Sequence, residues 1–297
     1  MMIKYLGVMC ALLTAPVFAK DVQIETYSGS VAVASKPETI AVFDLAALDS
    51  LEALGIAVDG VVTPAYLSYL EDAVEGTFSV GSLFEPDFEA LNALQPDLII
   101  AGGRSSKQVP ELTKFAPTVD MTIWEDTVGQ GLARLHAYGE IFDKEAEANA
   151  LRTEFEAKLT TLKAASADTG SALILMTNGP KVSAYGAAGR FGWLHQVLGL
   201  PETVDEVEQS THGEAISFEF IKDANPDVLL VIDRLAAIGT EGENAKTTLD
   251  NALVRETTAW KTGNIIYLSS APIYIAGGGI QSMNITLDEL LAVFSGS

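Results

Sequence analysis

One sixteen-residue pattern occurs twice in this chain and constrains its fold more than any other feature. Glu89 to Arg104 reads EALNALQPDLIIAGGR, and Glu219 to Arg234 reads EFIKDANPDVLLVIDR. Each copy starts with Glu, places Pro-Asp seven and eight residues later, continues with a branched apolar triplet and closes on Arg. The physical unit is a short helix, a Pro-Asp turn and a buried parallel strand. The Arg falls at or just beyond the strand's carboxyl end, which in open α/β sheets faces the ligand crevice. Helix-turn-strand units recur in many α/β proteins. The equal Glu-to-Arg spacing in both copies points further, to duplicated lobes.

The remaining pattern supports two lobes. Strands are predicted at Thr39 to Phe43, Val58 to Val62, Leu98 to Ala101 and Val119 to Thr122, with a helix over Asp44 to Leu54. A long polar helix is predicted from about Val128 to Ala165, with Asp143-Lys144 as a candidate break. Ala148, Leu151, Phe155, Leu159 and Leu162 share one of its faces at helical spacing. A second series follows Asp168-Thr169-Gly170: strands at Ser171 to Met176, Val182 to Ala184, Val228 to Ile232 and Ile265 to Leu268, and helices at Phe191 to Leu198 and Gln281 to Phe294. Alternating β and α elements indicate mostly parallel sheets. The fold class is therefore α/β: two Rossmann-like lobes joined by a single long helix, with a ligand cleft between them. The N-terminal lobe is expected over 20–126, the linking helix over 127–168 and the C-terminal lobe over 169–297.

Residues 1–19 read as a secretory signal. Lys4 supplies the positive start, Tyr5 to Leu13 the apolar stretch, and Val17 and Ala19 the small residues before the cut. The stretch is too short to span a membrane, which takes about 20 apolar residues. Cys10, the one cysteine, lies inside it and follows Met9 rather than the small residue that a lipoprotein anchor requires. The expected mature chain then has no thiol, carries a net charge of −23 and suits a bacterial periplasm.

That charge excludes some partners. Nucleic-acid binding rests on cationic neutralisation of phosphates, and the whole chain's formal charge is −22. Attraction to an anionic membrane surface is disfavoured in the same way, and stable insertion is not expected because no later stretch reaches spanning length without a charge or a turn.

Arginine and histidine are scarce, so their positions are informative. Arg104 and Arg234 end the repeated strands, and Arg190 sits in YGAAGRFG at a helix start, where backbone N–H groups and a positive dipole end are also available. Three guanidiniums converging on one cleft suit planar anionic oxygen ligands. The alternative is that each pairs with one of 40 acidic residues. His136 belongs on the surface of the long helix, and His195, in FGWLHQVLG, has a capping or surface role. His212 lies in the polar loop Gln209-Ser210-Thr211-His212-Gly213, able to face a cleft or simply solvated. Tyr274 precedes Gly277-Gly278-Gly279. Those glycines permit a sharp turn or a close approach to a ligand. The phenol is either a hard donor for ferric iron or a hydrogen-bonded core group. Three scattered histidines make a dedicated zinc site weak. No G-x-S-x-G elbow, P-loop or dinucleotide fingerprint occurs, so no catalytic residue is assigned.

The segments SVGSLFEPDFEALNALQPDLIIAGGR, SAYGAAGRFGWLHQVLG, THGEAISFEFIKDANPDVLLVIDR and IYIAGGGIQS together resemble the periplasmic ferric-siderophore-binding proteins of ABC importers, in the branch that takes catecholate-type siderophores. The resemblance spans essentially the whole mature chain. It implies a monomeric, non-enzymatic receptor without an intrinsic cofactor, whose cargo is Fe(III) held in a siderophore. It implies that Arg104, Arg190 and Arg234 hold catecholate oxygens and that His212 and Tyr274 complete the ferric coordination when the siderophore supplies four donors. It implies that Glu89 and Glu219 dock onto the importer's permease. Each Glu is otherwise an ordinary acid at a helix start. Trp193 stands where a smaller aliphatic residue is expected, and either stacks on the ligand or fills the core. Lys107 either adds a charge at the cleft or lies outside it. The competing readings are a haem or cobalamin carrier on the same fold and an exported hydrolase.

Overall fold

The structure is a computed structural model that describes residues 21–205, 207 and 212–296. The signal assigned to 1–19, and Gln209-Ser210-Thr211 of the loop before His212, lie outside the described residues.

The chain opens with an antiparallel hairpin, β1 (Asp21–Thr26) and β2 (Gly29–Ala34). Five parallel strands follow: β3 (Ile40–Val42), β4 (Gly60–Val61), β5 (Phe78–Ser79), β6 (Leu98–Ala101) and β7 (Thr118–Asp120), in the order β5-β4-β3-β6-β7. The second sheet holds β8 (Ala172–Asn178), β9 (Lys181–Tyr185), β10 (Glu214–Ile216), β11 (Val228–Asp233) and β12 (Ile265–Tyr267), in the order β10-β9-β8-β11-β12. Here β8, β11 and β12 are parallel, while β9 and β10 extend the sheet antiparallel.

The repeat is structural as well as sequential. The helices Phe88–Leu94 and Phe218–Ala224 are capped by Asp87 and Ser217, whose side chains accept backbone N–H bonds of the first turn. Both end in a left-handed residue, Gln95 and Asn225, just before the Pro. The Asp after each Pro then staples the neighbouring strand. Asp97 accepts from the backbone N–H of Glu38 and Thr39, and Asp227 accepts from that of Ser171. The Pro-Asp pair therefore ends one helix and sets the register of two adjacent strands, β3 with β6 and β8 with β11.

The central parallel strands β8 and β11 of the second sheet are buried and apolar on both faces along most of their length, as buried parallel strands must be. Val228, Leu230 and Ile232 join a core that runs through both lobes, while Leu229 and Val231 pack on a second, smaller cluster.

The predicted single helix over 128–165 is two. Thr127–Phe142 ends at Asp143, which adopts φ 59 and returns its N–H to the carbonyl of Gly139. Lys144 donates to the same carbonyl, and the Asp143 carboxylate pairs with Lys36 at 2.6 Å. Glu145–Ala165 then runs 21 residues, about 31 Å at 1.5 Å per residue. Of its predicted apolar face, Ala148, Phe155 and Leu162 are buried and Leu151 and Leu159 half-buried.

The closing helix, Ile280–Phe294, packs on Glu145–Ala165 and on Leu45–Ala53, the first helix of the N-terminal lobe. Asp49 of Leu45–Ala53 is fully buried and accepts from the backbone N–H of Gln281 and Ser282, each at 2.8 Å, and from the Tyr69 hydroxyl at 2.6 Å. Its carboxylate thus caps a helix that starts more than two hundred residues away.

Among the described residues, no helix is long and apolar enough to cross a membrane.

Candidate functional site

Parallel strands carry the residues that follow them to one edge of the sheet. Arg104 lies just past β6, in a 3-10 turn over Gly103–Gln108, and Arg234 directly follows β11. Asp44 underlies the first of these. It caps the helix Leu45–Ala53, and a Cβ at Gly102 would lie 2.8 Å from its Oδ2, so only glycine fits there. Burial holds the Asp44 carboxyl above its usual range, against the lowering by two backbone N–H bonds and the Arg104 charge.

The three arginines converge on Tyr274. Arg104 donates from Nη2 to the Tyr274 carbonyl at 2.8 Å and from Nη1 to the Ile275 carbonyl at 3.2 Å. Arg190 donates from Nη2 to the same Tyr274 carbonyl. The guanidinium carbons of Arg190 and Arg104 lie 4.3 and 5.3 Å from the centroid of the Tyr274 ring, within cation–π range. Arg234 lies by the phenol oxygen, with Nε 3.3 Å from it, and bonds Asn178 Oδ1 with Nη1 at 3.3 Å. Among the described residues none of the three takes part in an ion pair. The other arginines differ: Arg152 and Arg255 pair with Glu156 and Asp250, and buried Arg134 donates to the carbonyls of Glu25 and Thr122. Among the described residues the carboxylate-pairing alternative thus holds for Arg152 and Arg255 and not for the clustered three.

This clustering shapes the electrostatics. Burial pushes the Arg190 guanidinium down, and the like charge of Arg104 pushes it further. Burial alone would raise the Tyr274 phenol. The Arg234 hydrogen bond and the charges of Arg190, Arg234 and Arg104 outweigh it, and the phenol sits below its ordinary value. The site therefore favours oxygen anions, whether the phenolate or a ligand.

Tyr274 belongs to the short helix Ser270–Ile275 rather than to a loop. Its glycines approach the protein, not the cleft. A Cβ at Gly278 would lie 2.6 Å from Ile123, and one at Gly279 2.5 Å from the Asp49 carboxyl. They thread the chain from the site back into the N-terminal lobe.

His212 is exposed, and its carbonyl accepts from the Tyr185 hydroxyl at 3.0 Å. Burial raises that phenol to about 12. His212, Asn178 and Arg234 line one groove of about 550 Å³ together with Glu219. Among the described residues no cluster of His, Cys, Asp and Glu is arranged to hold a metal ion.

Other positions are corrected or placed. Trp193 is 5% exposed and packs into the main core, which leaves no indole face for a ligand to stack on. His195, expected in a capping or surface role, is 6% exposed, with Nδ1 3.2 Å from the Leu200 carbonyl just past the end of its helix, and burial pushes its imidazole down. His136 is exposed on its helix. Lys107 is exposed within the turn that carries Arg104. Glu89 and Glu219 are exposed at equivalent first-turn positions of the two repeat helices. Sequence reasoning missed Asn178, whose turn signal Asn-Gly-Pro was visible, and Asp49, which carried no signal.

Known proteins share this architecture. The petrobactin-binding protein YclQ of Bacillus subtilis is 36% identical over 87% of this chain and 83% of its own. The ferric-anguibactin-binding protein FatB of Vibrio anguillarum is 32% identical over 90% and 86%. The crystal structure of the periplasmic catecholate-siderophore binding protein VctP from Vibrio cholerae superposes with a TM-score of 0.84 at 32% identity, covering 92% of this chain and 100% of that one. With the profile of the periplasmic binding proteins matching residues 40–272, the chain belongs to that family.

Proposed function

We propose that this chain captures an anionic ferric-siderophore complex of catecholate type in the periplasm and delivers it to the permease of an ABC importer. The observation that carries the reading is the convergence of Arg104, Arg190 and Arg234 on Tyr274 without an ion-pair partner among the described residues. Crowding three cations costs energy that an oxygen-rich anion recovers, and their forks match catecholate oxygens. The names of the relatives above support the same ligand class.

In this reading Arg104, Arg190 and Arg234 hold the catecholate oxygens. His212 and Tyr274 supply imidazole and phenolate donors to the cargo iron when the siderophore leaves two coordination positions open, a donor set that suits ferric iron. The lowered Tyr274 phenol favours that role. Glu89 and Glu219 present equivalent carboxylates to basic residues of a two-fold permease. Trp193 serves the core. The haem or cobalamin reading draws on no observation of its own. The hydrolase reading rested on a cleft-facing His, and among the described residues no nucleophile is seen bonded to the His212 ring.

The test is a titration of the chain from Lys20 onward with a ferric bis-catecholate, followed by tryptophan fluorescence and the charge-transfer band, with haem and cobalamin in parallel. Saturable quenching by the ferric complex alone is expected. His212→Ala with Tyr274→Phe should weaken a four-donor complex more than a six-donor one, and equal losses would count against direct coordination. Glu89→Ala, at a position outside the groove, should leave this binding intact and sharply reduce cellular uptake of the complex. Unchanged uptake would remove the docking role.

A further inference from the structure

The antiparallel part of the second sheet leaves a mixed face beside the arginine cluster, polar at Asn178, Lys181 and Ser183 and apolar at Met176 and Ala215. Asn178 and Lys181 are directly paired across the Gly179-Pro180 turn, and Met176 pairs with Ser183. Paired residues share a face, and residues two apart along a strand share it too. Asn178, Lys181 and Ser183 therefore stand together. Ala215 of β10, paired with Ser183, continues the surface. An antiparallel sheet can leave one face open to water, which a parallel one rarely does.

The groove of about 550 Å³ lies on this face, lined by Asn178, Lys181, Ser183, His212 and Arg234, with Glu219 as the one carboxylate among its described residues. The bond from Arg234 to Asn178 Oδ1 joins the groove to the site around Tyr274. Lys181 is exposed, and among the described residues it takes part in no ion pair. The Glu219 carboxylate is met by a backbone N–H and the Ser217 hydroxyl, so part of its charge is already answered. Among the described residues the groove sets two cations against one tied carboxylate, which stands out in a chain of net charge −22.

We infer that this groove is a second subsite of the ligand cleft, taking an anionic, carboxylate-bearing arm of the bound complex, with Lys181 as its charge partner. The inference rests on the ferric-siderophore reading above and adds to it a determinant of which complexes are preferred. Arg234 contacts both parts of the ligand, the catecholate at one side and the arm at the other. A lysine ammonium is a compact charge on a flexible stem. It selects for charge more than for shape, so neutral arms are tolerated and anionic ones preferred. The Asn178 amide and the Ser183 hydroxyl supply hydrogen bonds along the floor.

The experiment titrates the chain from Lys20 onward and its Lys181→Gln variant with two ferric bis-catecholates. They share one linker, which carries a free carboxylate in the first and the corresponding amide in the second. An exposed ion pair of this kind is worth about threefold in affinity at low salt and less at high salt. The wild-type chain should prefer the carboxylate complex by about that factor, and Lys181→Gln should erase the preference while leaving affinity for the amide complex unchanged. Equal losses for both complexes, or no loss for either, would overturn the subsite. Succinate alone is the third arm: binding that Lys181→Gln abolishes, without any ferric complex, would assign the groove to a separate small anion and overturn it as an arm site. Failure of the wild-type chain to bind either ferric complex would instead overturn the function on which the subsite rests. Gln has nearly the length of Lys on an exposed strand position, and an unchanged melting temperature verifies the fold.

Discussion

Arg104 donates to the carbonyl oxygen of Tyr274 at 2.8 Å across 170 residues of chain. The bond ties the end of β6 in one lobe to the short helix that follows β12 in the other. The guanidinium thus holds the two lobes together at the site, and in the proposed role it also presents charge to a ligand. Hydrogen bonds to charged groups are worth about 1.5–3 kcal/mol, roughly 10- to 150-fold in affinity. Arg104→Ala should weaken ferric bis-catecholate binding within that range, as measured by fluorescence titration. Arg104→Lys should recover only part, because it restores the charge without the fork. Full recovery by Lys would show that only charge matters.

Tyr274 should ionise earlier than the protein's other perturbed phenols. Its value is lowered by the surrounding arginines, whereas burial raises Tyr69, Tyr138, Tyr185 and Tyr267. A titration of phenolate absorbance should show an early phase that Tyr274→Phe removes. Persistence of that phase in the variant would assign it elsewhere.

Asp49 should make stability depend on pH. Burial pushes its carboxyl up to about 7, more than the Tyr69 hydroxyl and the Gln281 and Ser282 N–H groups pull it down, and the charge of Glu52 adds to the rise. The folded chain therefore holds this proton more tightly than the unfolded one does. The corresponding stability is present below about pH 4 and is lost as pH rises to about 7. Melting temperatures of the wild-type chain and Asp49→Asn at pH 5 and pH 8 provide the check. The wild-type advantage should be larger at pH 5, and an equal gap at both values would refute the assignment.

Gly279→Ala should destabilise the fold without strain in the backbone. Gly279 has φ −65, which any residue adopts, so the cost comes from space alone. Its new methyl group would lie 2.5 Å from the buried Asp49 carboxyl. Overpacking of this kind costs about 1–3 kcal/mol. Denaturant unfolding should show the loss, and Asp49→Ala in the same chain should offset part of it by removing the obstacle.

Much of the scaffold was legible because its causes are local. Leu98–Ala101 was placed to the residue, and the Pro-Asp pairs marked where two helices end and two strands begin. The break at Asp143-Lys144 was visible only as a candidate, since a left-handed Asp leaves the apolar spacing on either side intact. The hairpin β1–β2 was missed because each strand spans only six residues and buries at most two of them. It is held from outside, by Tyr27 donating to the Asp120 carbonyl and Arg134 to the Glu25 carbonyl. β5 and β10 are two and three residues long, too short for any periodicity to register.

By itself the sequence determined the class of fold, the duplicated unit and the three arginines that stand at strand ends or a helix start, because periodicity, turn chemistry and spacing act within a few residues. It could not decide what those arginines meet. Only the tertiary structure brought Arg104, Arg190 and Arg234 onto Tyr274 and left them without an ion pair among the described residues. It also turned Trp193 into the core and set Asp49 under the closing helix. Those outcomes depend on which distant surfaces share burial, and a long-range contact leaves no local pattern from which to read it.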